Sequence, residues 1–170
     1  MKAKEEISFY EKQKMPWYFQ LIPVVLLLVI IYPFIAEIRL GENIRPFPFI
    51  IAVIVSTSIV ILYFIISLET IINETGIYIK MFPFMFKFKV FAWEIIENVE
   101  VRKYNPITEA GGWGWRTGIT SSAYNLSGNK GLILKIKKNG FVKTRKILIR
   151  TQHPQEIQEI LMKLGKNINV

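Results

Sequence analysis

The 170-residue sequence contains no cysteine and a single histidine, His153. Without cysteine the chain has no disulfide, no thiolate metal site and no cysteine nucleophile. A lone histidine excludes any site that needs two imidazoles from one chain. Acidic residues are also scarce: 13 carboxylates stand against 22 lysines and arginines, which gives a formal net charge of +9. Composition thus excludes several classes of catalytic and metal-binding site.

A polar stripe is missing from two long apolar runs near the start of the chain, residues 17–38 and 47–68. A helix on the surface of a soluble protein would show such a stripe. The second run has no charge, and the first has only Glu37, close to its end. As helices, both runs would be roughly 33 Å long, about the thickness of a bilayer's hydrocarbon core. They predict a transmembrane helical hairpin over residues 17–68.

The distribution of lysine and arginine predicts the orientation of this hairpin. Residues 1–16 contain four lysines, the link between the two runs has two arginines, and residues 70–170 contain sixteen lysines and arginines. Because cytoplasmic segments of membrane proteins are enriched in these residues, we expect both termini to be cytoplasmic. The predicted protein is a multi-pass protein of the cell membrane, with a cytoplasmic N-terminal segment over residues 1–16 and a cytoplasmic domain over residues 69–170.

In residues 69–170 the helical periodicity gives way to two-residue alternation, which is typical of β-strands. The alternating segments are residues 77–82, 84–90, 99–104 and 132–136, and residues 74–76 predict a turn before the first of them. Asn139 and Gly140 predict a hairpin turn before a further strand over residues 141–150. Pro154 then predicts the start of an amphipathic helix that ends near Lys166. The predicted fold class is α+β: a two-helix transmembrane hairpin, then a mainly antiparallel barrel of seven or eight strands with a C-terminal helix.

This order of strands followed by a terminal helix resembles the pleckstrin-homology-like architecture. Segments that resemble bacterial pleckstrin-homology domains are residues 70–79, 91–96, 128–134 and 146–156. Segments similar to an uncharacterised family of two-span bacterial membrane proteins with a C-terminal domain of this kind are residues 102–106, 111–114 and 123–128. The resemblance covers the whole chain. It implies a pleckstrin-homology-like barrel in a membrane setting, and it implies no established activity.

The most unusual local feature is a glycine-rich segment that contains Trp113, Trp115 and Arg116. Glycines permit a bulge or a close backbone approach, and residues two apart share one face of a strand. One interpretation is a ligand or peptide groove, or a wedge in the lipid interface with Arg116 on a phosphate. The other is that one tryptophan plugs the barrel mouth while the glycines twist an edge strand. Lys87 and Lys89 are further candidates for contact with anionic headgroups.

No set of residues predicts catalysis. His153 lies at a predicted strand-to-helix turn, where a capping or surface role is favoured over that of a general base. Glu94, Glu97 and Glu100 are three residues apart, but their segment is more strand-like, and we expect them to pair with lysines. Ser127 lacks the glycine-flanked elbow of serine hydrolases. We therefore predict no catalytic residue, no metal site and no cofactor.

These features predict a non-enzymatic, membrane-anchored interaction or scaffold protein that presents a basic pleckstrin-homology-like domain at the cytoplasmic face of the membrane. The expected partners are membrane lipids and either another protein or a second copy of the chain. The alternatives are binding of anionic lipid headgroups, and a role as an accessory subunit of a membrane enzyme or transporter. Nucleic acid is not expected as a partner, because no helix concentrates the basic residues on one face.

Overall fold

The structure, a computed structural model, describes residues 7–41, 46–118, 120–137, 144–166 and 168–169. The chain divides into two compact units. The helical unit is Lys14–Ile66, and the β-rich unit combines Met1–Gln13 with Ser67–Val170. The predicted turn at Asn139 and Gly140 lies outside the described residues.

The helical unit contains helices α1, Trp17–Leu40, and α2, Pro46–Ile65. Gly41 ends α1 in a left-handed conformation (φ 69°), and its N–H donates to the carbonyl of Ile38. Glycine is favoured there because it adopts a positive φ without a steric penalty. The two helices contact each other within this unit, and the rings of Phe34 and Phe49 stack with their centroids 3.4 Å apart.

Of the helices in the described ranges, α1 alone is long and apolar enough to be a candidate membrane span. The described apolar part of α2, Phe49–Ile65, is too short to meet the same criterion. Leu68, at the end of the second apolar run, instead lies in a strand with its side chain fully buried. Apolar composition does not separate the end of a helix from the start of a buried strand. The prediction of a two-helix transmembrane hairpin is therefore wrong.

The β-rich unit contains two sheets. The four-stranded sheet has the order β1 (Ile7–Lys14), β2 (Ser67–Asn73), β3 (Gly76–Phe82), β4 (Lys89–Ala92). The six-stranded sheet has the order β10 (Ile168–Asn169), β5 (Ile96–Lys103), β8 (Lys130–Lys137), β9 (Thr144–Arg150), β7 (Ser121–Asn125), β6 (Gly114–Thr117). A single 3₁₀ turn, Trp93–Ile95, connects β4 to β5, and helix α3, Pro154–Lys163, follows β9.

The prediction of one pleckstrin-homology-like barrel with seven or eight strands is wrong, because the described strands form these two separate sheets. Strand β7 pairs in parallel with β9, and β10 pairs in parallel with β5. Alternation along the sequence identifies strands but not their partners, and parallel pairs join segments that no short turn connects. The order of strands along the sequence is therefore not sufficient to predict which strands pair in each sheet.

The predicted strand over residues 84–90 is present only from Lys89 onward. Residues 83–88 form turns and bends instead. Pro83 has no amide N–H to donate to a ladder, so it interrupts a strand at this point. As a result Phe84 and Phe86 do not join the face of a sheet, and both are exposed.

Other local predictions are confirmed. Strands β8 and β9 form an antiparallel pair on either side of the predicted hairpin turn. Helix α3 begins at Pro154 as predicted and ends at Lys163, slightly earlier than expected. It buries Ile157 and Leu161 completely.

Strand β1 was not predicted, because its buried positions are largely polar. Glu11 and Gln13 are 5% and 1% exposed. The Glu11 carboxylate accepts hydrogen bonds from the Thr151 hydroxyl and the Gln152 N–H, both at 2.7 Å. The Gln13 amide donates to the carbonyl of Arg150 at 2.7 Å and accepts from its guanidinium. Strand β1 is thus attached to the segment where β9 leads into α3.

Candidate binding surface

The glycine-tryptophan segment forms β6, a strand at one edge of the six-stranded sheet. It pairs antiparallel with β7, with Trp115 opposite Tyr124. Gly112 and Gly114 have φ values of 105° and 108°. Residues with a Cβ rarely adopt such φ angles, so glycine at these two positions allows the backbone to turn into the edge strand.

Trp113 and Trp115 are both half-exposed, at 45% and 44%, but they contact different parts of the domain. The Trp115 ring lies 6.1 Å from that of Phe84, measured between centroids. Trp113 instead lines a groove together with Tyr104 and Pro106. The two tryptophans therefore belong to two different surfaces on either side of Gly114.

Trp115 belongs to an exposed group that we call the aromatic surface, formed by Phe84, Phe86 and Trp115. Phe84 is 45% exposed and Phe86 is 79% exposed. The Phe86 ring makes an edge-on contact with Phe82, with 5.8 Å between centroids. A cluster of large aromatic side chains exposed to solvent on a folded domain is typical of an interaction site. The aromatic surface connects the β3–β4 link with the edge strand β6.

The two candidate lysines have different surroundings. Lys87 lies in the β3–β4 link beside Phe86 and is exposed. Lys89 is half-buried: its Nζ donates to the Tyr124 hydroxyl at 3.3 Å and lies 5.6 Å from the centre of the Phe91 ring. Because Lys89 already has these contacts, only Lys87 of the pair presents its charge to solvent beside the aromatic surface.

Two grooves lie on either side of Glu109. The Trp113 groove has a volume of about 400 Å³, and its walls include Lys103, Tyr104, Pro106 and Trp113. Burial raises the pKa of Tyr104 above its ordinary value, which keeps the phenol neutral. The Tyr104 hydroxyl accepts a hydrogen bond from the side-chain amide of Asn125 at 3.4 Å.

The Arg116 groove has a volume of about 300 Å³. Its charged lining residues are Glu109, Arg116 and Lys146. Ala123 and Leu148, which are 4% and 2% exposed, also line it and belong to the buried core. Within the described ranges no hydrogen bond or ion pair engages Arg116. The groove therefore combines an apolar floor with a guanidinium that has no partner among the residues the structure describes.

Glu109 is held by three neighbours. Its two carboxylate oxygens accept from the two terminal nitrogens of Arg102, at 3.2 and 2.6 Å, and one accepts from the N–H of Asn105 at 3.0 Å. Lys146 contacts the same carboxylate at 3.3 Å. The hydrogen bonds from Arg102, followed by that from the Asn105 backbone, lower the pKa of Glu109 from 4.5 to about 2. The carboxylate therefore stays ionised at any physiological pH.

Comparisons with protein-family models, with curated proteins and with solved structures found no match. The resemblance to a two-span bacterial family therefore stays a prediction.

Some residues of these surfaces were not singled out in the sequence. Glu109 and Lys146 are 37 positions apart, and nothing in their spacing indicates that they meet. The alternation that includes Phe84 and Phe86 predicts a strand, although the neighbouring Pro83 indicates that a strand is interrupted there. The structure brings Trp115 to Phe84, and it lines one groove with Arg116 and another with Trp113.

In the described part of the chain, no group of three or more side chains is placed to hold a metal ion. His153 lies at the start of α3 with its Nδ1 3.7 Å from the Glu156 carboxylate, and both side chains are more than half exposed. An exposed pair of this kind contributes little to stability.

Proposed function

We propose that this chain is a membrane-anchored interaction protein without an enzymatic activity of its own. Its basic domain would bind a protein partner, or a second copy of the chain, at the cytoplasmic face of the membrane. The observation that carries this proposal is the aromatic surface, where Phe86 is 79% exposed next to Phe84 and Trp115. Aromatic residues that lie in a cluster supply much of the binding energy of protein interfaces.

The proposed membrane location is supported by α1 and by the pairing of the two strands that precede and follow the helical unit in the sequence. Strand β1 ends at Lys14, and β2, its neighbour in the four-stranded sheet, begins at Ser67. The chain thus leaves one sheet and returns to the same sheet, which supports a placement of both termini on one side of the membrane. The excess of lysine and arginine in the β-rich unit favours the cytoplasmic side.

The location is tested with reporters fused before Met1 and after Val170. Both fusions should be active only with a reporter that functions in the cytoplasm. Activity on opposite sides of the membrane would contradict the pairing of β1 with β2 in the native protein. Activity of both on the external side would contradict the interpretation of the charge distribution.

The interaction is tested by purifying the full chain from native membranes and identifying the co-purifying proteins by mass spectrometry. Phe86→Ser removes the most exposed ring of the aromatic surface, and the matched control is Met162→Ser, which alters a 63% exposed apolar residue on α3. A partner that is lost with Phe86→Ser and kept with Met162→Ser supports the proposal. Equal recovery with both variants contradicts it.

A second candidate function is contact with anionic lipid headgroups, which is favoured by Lys87 beside the exposed Phe86. Aromatic rings at the interface next to basic residues suit a negatively charged membrane surface. Each lysine or arginine near such a surface contributes about 1 kcal/mol. This candidate differs from the first in its dependence on salt and on lipid composition.

The absence of cysteine provides a direct test of this second candidate. Phe86→Cys creates a single labelling site for an environment-sensitive fluorophore on the full chain. In nanodiscs with anionic lipid the emission should shift to the blue, and added salt should reverse the shift. A label at Met162→Cys serves as the control. An identical spectrum in neutral and anionic nanodiscs would rule out contact of the aromatic surface with headgroups.

A further inference from the structure

The Arg116 groove, which contains Arg116, Lys146 and Glu109, has a shape and charge that the proposed function does not use. Its 300 Å³ is at the small end of the range for ligand sites in proteins, about 300–1,000 Å³. Small residues at its floor and walls, Ala110 and Gly111, leave this space open. A small ligand with a charged group fits these dimensions better than a peptide.

Arg116 is placed to bind an anion. It has no partner within the described residues, although it lines a half-enclosed groove. Its terminal nitrogen lies close to Gly112, where an added Cβ would be 3.1 Å away. The absence of a side chain at this position gives the guanidinium room to lie beside the loop. A planar guanidinium with free donors matches the oxygens of a phosphate group.

Lys146 supplies a second positive charge, and its ion pair with Glu109 is weak. Its contact with Glu109 is 3.3 Å, longer than the 2.6 Å contact between Arg102 and the same carboxylate oxygen. Glu109 keeps Arg102 and the Asn105 N–H if Lys146 turns away. An anion in the groove can therefore recruit the ammonium group without leaving a carboxylate unpaired.

The groove also has a rigid wall with hydroxyl groups. Arg145 donates to the carbonyl of Gly118 and to the hydroxyl of Ser122, which ties the end of the β6–β7 hairpin to β9. Thr117 and Ser121 at this end line the groove. Hydroxyl groups donate hydrogen bonds to phosphate oxygens, so they complement the two cations.

We propose that the Arg116 groove binds a phosphate group, either as inorganic phosphate or as the phosphate monoester of a larger molecule such as a lipid. Arg116 and Lys146 neutralise its charge, while Thr117 and Ser121 donate hydrogen bonds. The site is separate from the aromatic surface, so either proposal can fail while the other holds.

The test uses the full chain in a neutral detergent and two probes, inorganic phosphate and phosphatidic acid, with binding measured by calorimetry. Arg116→Ala and Lys146→Ala should each weaken binding about tenfold, while Arg116→Lys, which keeps the charge but loses the planar fork, should lose less. The control Lys163→Ala removes an exposed charge on α3, outside the groove, and should bind as the unmodified chain does.

Binding of both probes would indicate that the phosphate group itself is recognised, and binding of phosphatidic acid alone would indicate a lipid source. Either result supports the proposal if the Arg116 and Lys146 variants lose that binding. The proposal is overturned if neither probe binds. It is also overturned if Lys163→Ala weakens binding as much as Arg116→Ala does, because attraction would then depend on overall positive charge.

Discussion

The attachment of β1 to the β-rich unit can be tested with two neighbouring aromatic residues. Phe9 is 4% exposed and Tyr10 is 53% exposed, since successive residues of a strand face opposite sides. Truncating a buried phenylalanine to alanine costs about 3–5 kcal/mol. The same truncation at a half-exposed site such as Tyr10 should cost about 1 kcal/mol or less.

These free energies convert to well-separated melting temperatures. For a domain of about 100 residues, 1 kcal/mol shifts the melting temperature by about 4–8 °C. Phe9→Ala should therefore lower the melting temperature of the β-rich unit by at least about 12 °C, and Tyr10→Ala by about 8 °C at most. The assay is thermal unfolding of the full chain in neutral detergent, followed by tryptophan fluorescence.

The comparison between the two variants decides the outcome. If Phe9→Ala and Tyr10→Ala cause equally small shifts, β1 does not pack against the unit in the native protein. Equally large shifts would indicate that both faces of the strand are covered, by a partner or by another part of the chain. Either result would refute the proposed burial of one face of β1.

Three further outcomes follow from the structure. Because the pKa of Glu109 is lower in the folded chain (about 2) than its ordinary value of 4.5, its contribution to stability is present above pH 4.5 and is lost as the pH falls toward 2. Solvent exposure limits the contribution to about 1 kcal/mol, and Glu109→Gln should remove this acid dependence in pH-dependent unfolding. Trp113→Ala and Trp115→Ala should each cost about 2 kcal/mol in thermal unfolding, less than a core tryptophan, and a loss above 4 kcal/mol would contradict their exposure. Gly76→Ala would place a Cβ against the carbonyl of Phe91 on β4, so we expect a loss of about 3 kcal/mol, and a near-native melting temperature would contradict this β3–β4 pairing.

The parts of the fold that the sequence predicted depend on local signals. The β2–β3 turn is formed by Asn73, whose side-chain oxygen accepts from the N–H groups of Thr75 and Gly76, both at 3.0 Å. Helix α3 was predicted from Pro154 and from the spacing of its apolar residues. Each of these signals lies within a few residues of the structure it determines, so a single sequence is sufficient to recognise it.

The parts that were not predicted depend on contacts between distant residues. The division into two sheets rests on pairs such as β7 with β9, whose members no turn connects. In the candidate site, the sequence identified Arg116 but not Lys146, because a groove exists only once the strands are assembled. Lys89 was proposed as a headgroup contact, whereas its contact with Tyr124 depends on how the two sheets approach each other.

The polar residues of β1 explain how a strand without an apolar pattern acquires a defined position. Glu11 and Gln13 are buried, and a buried polar group costs free energy unless it is hydrogen-bonded. Their partners are in one short segment, Arg150–Gln152. A shift of β1 by one residue would place Lys12 where Glu11 now accepts its hydrogen bonds and would leave Thr151 without its acceptor. The hydrogen bonds therefore select one register for β1. This register determines the position in the four-stranded sheet at which β1 ends and the chain enters the helical unit.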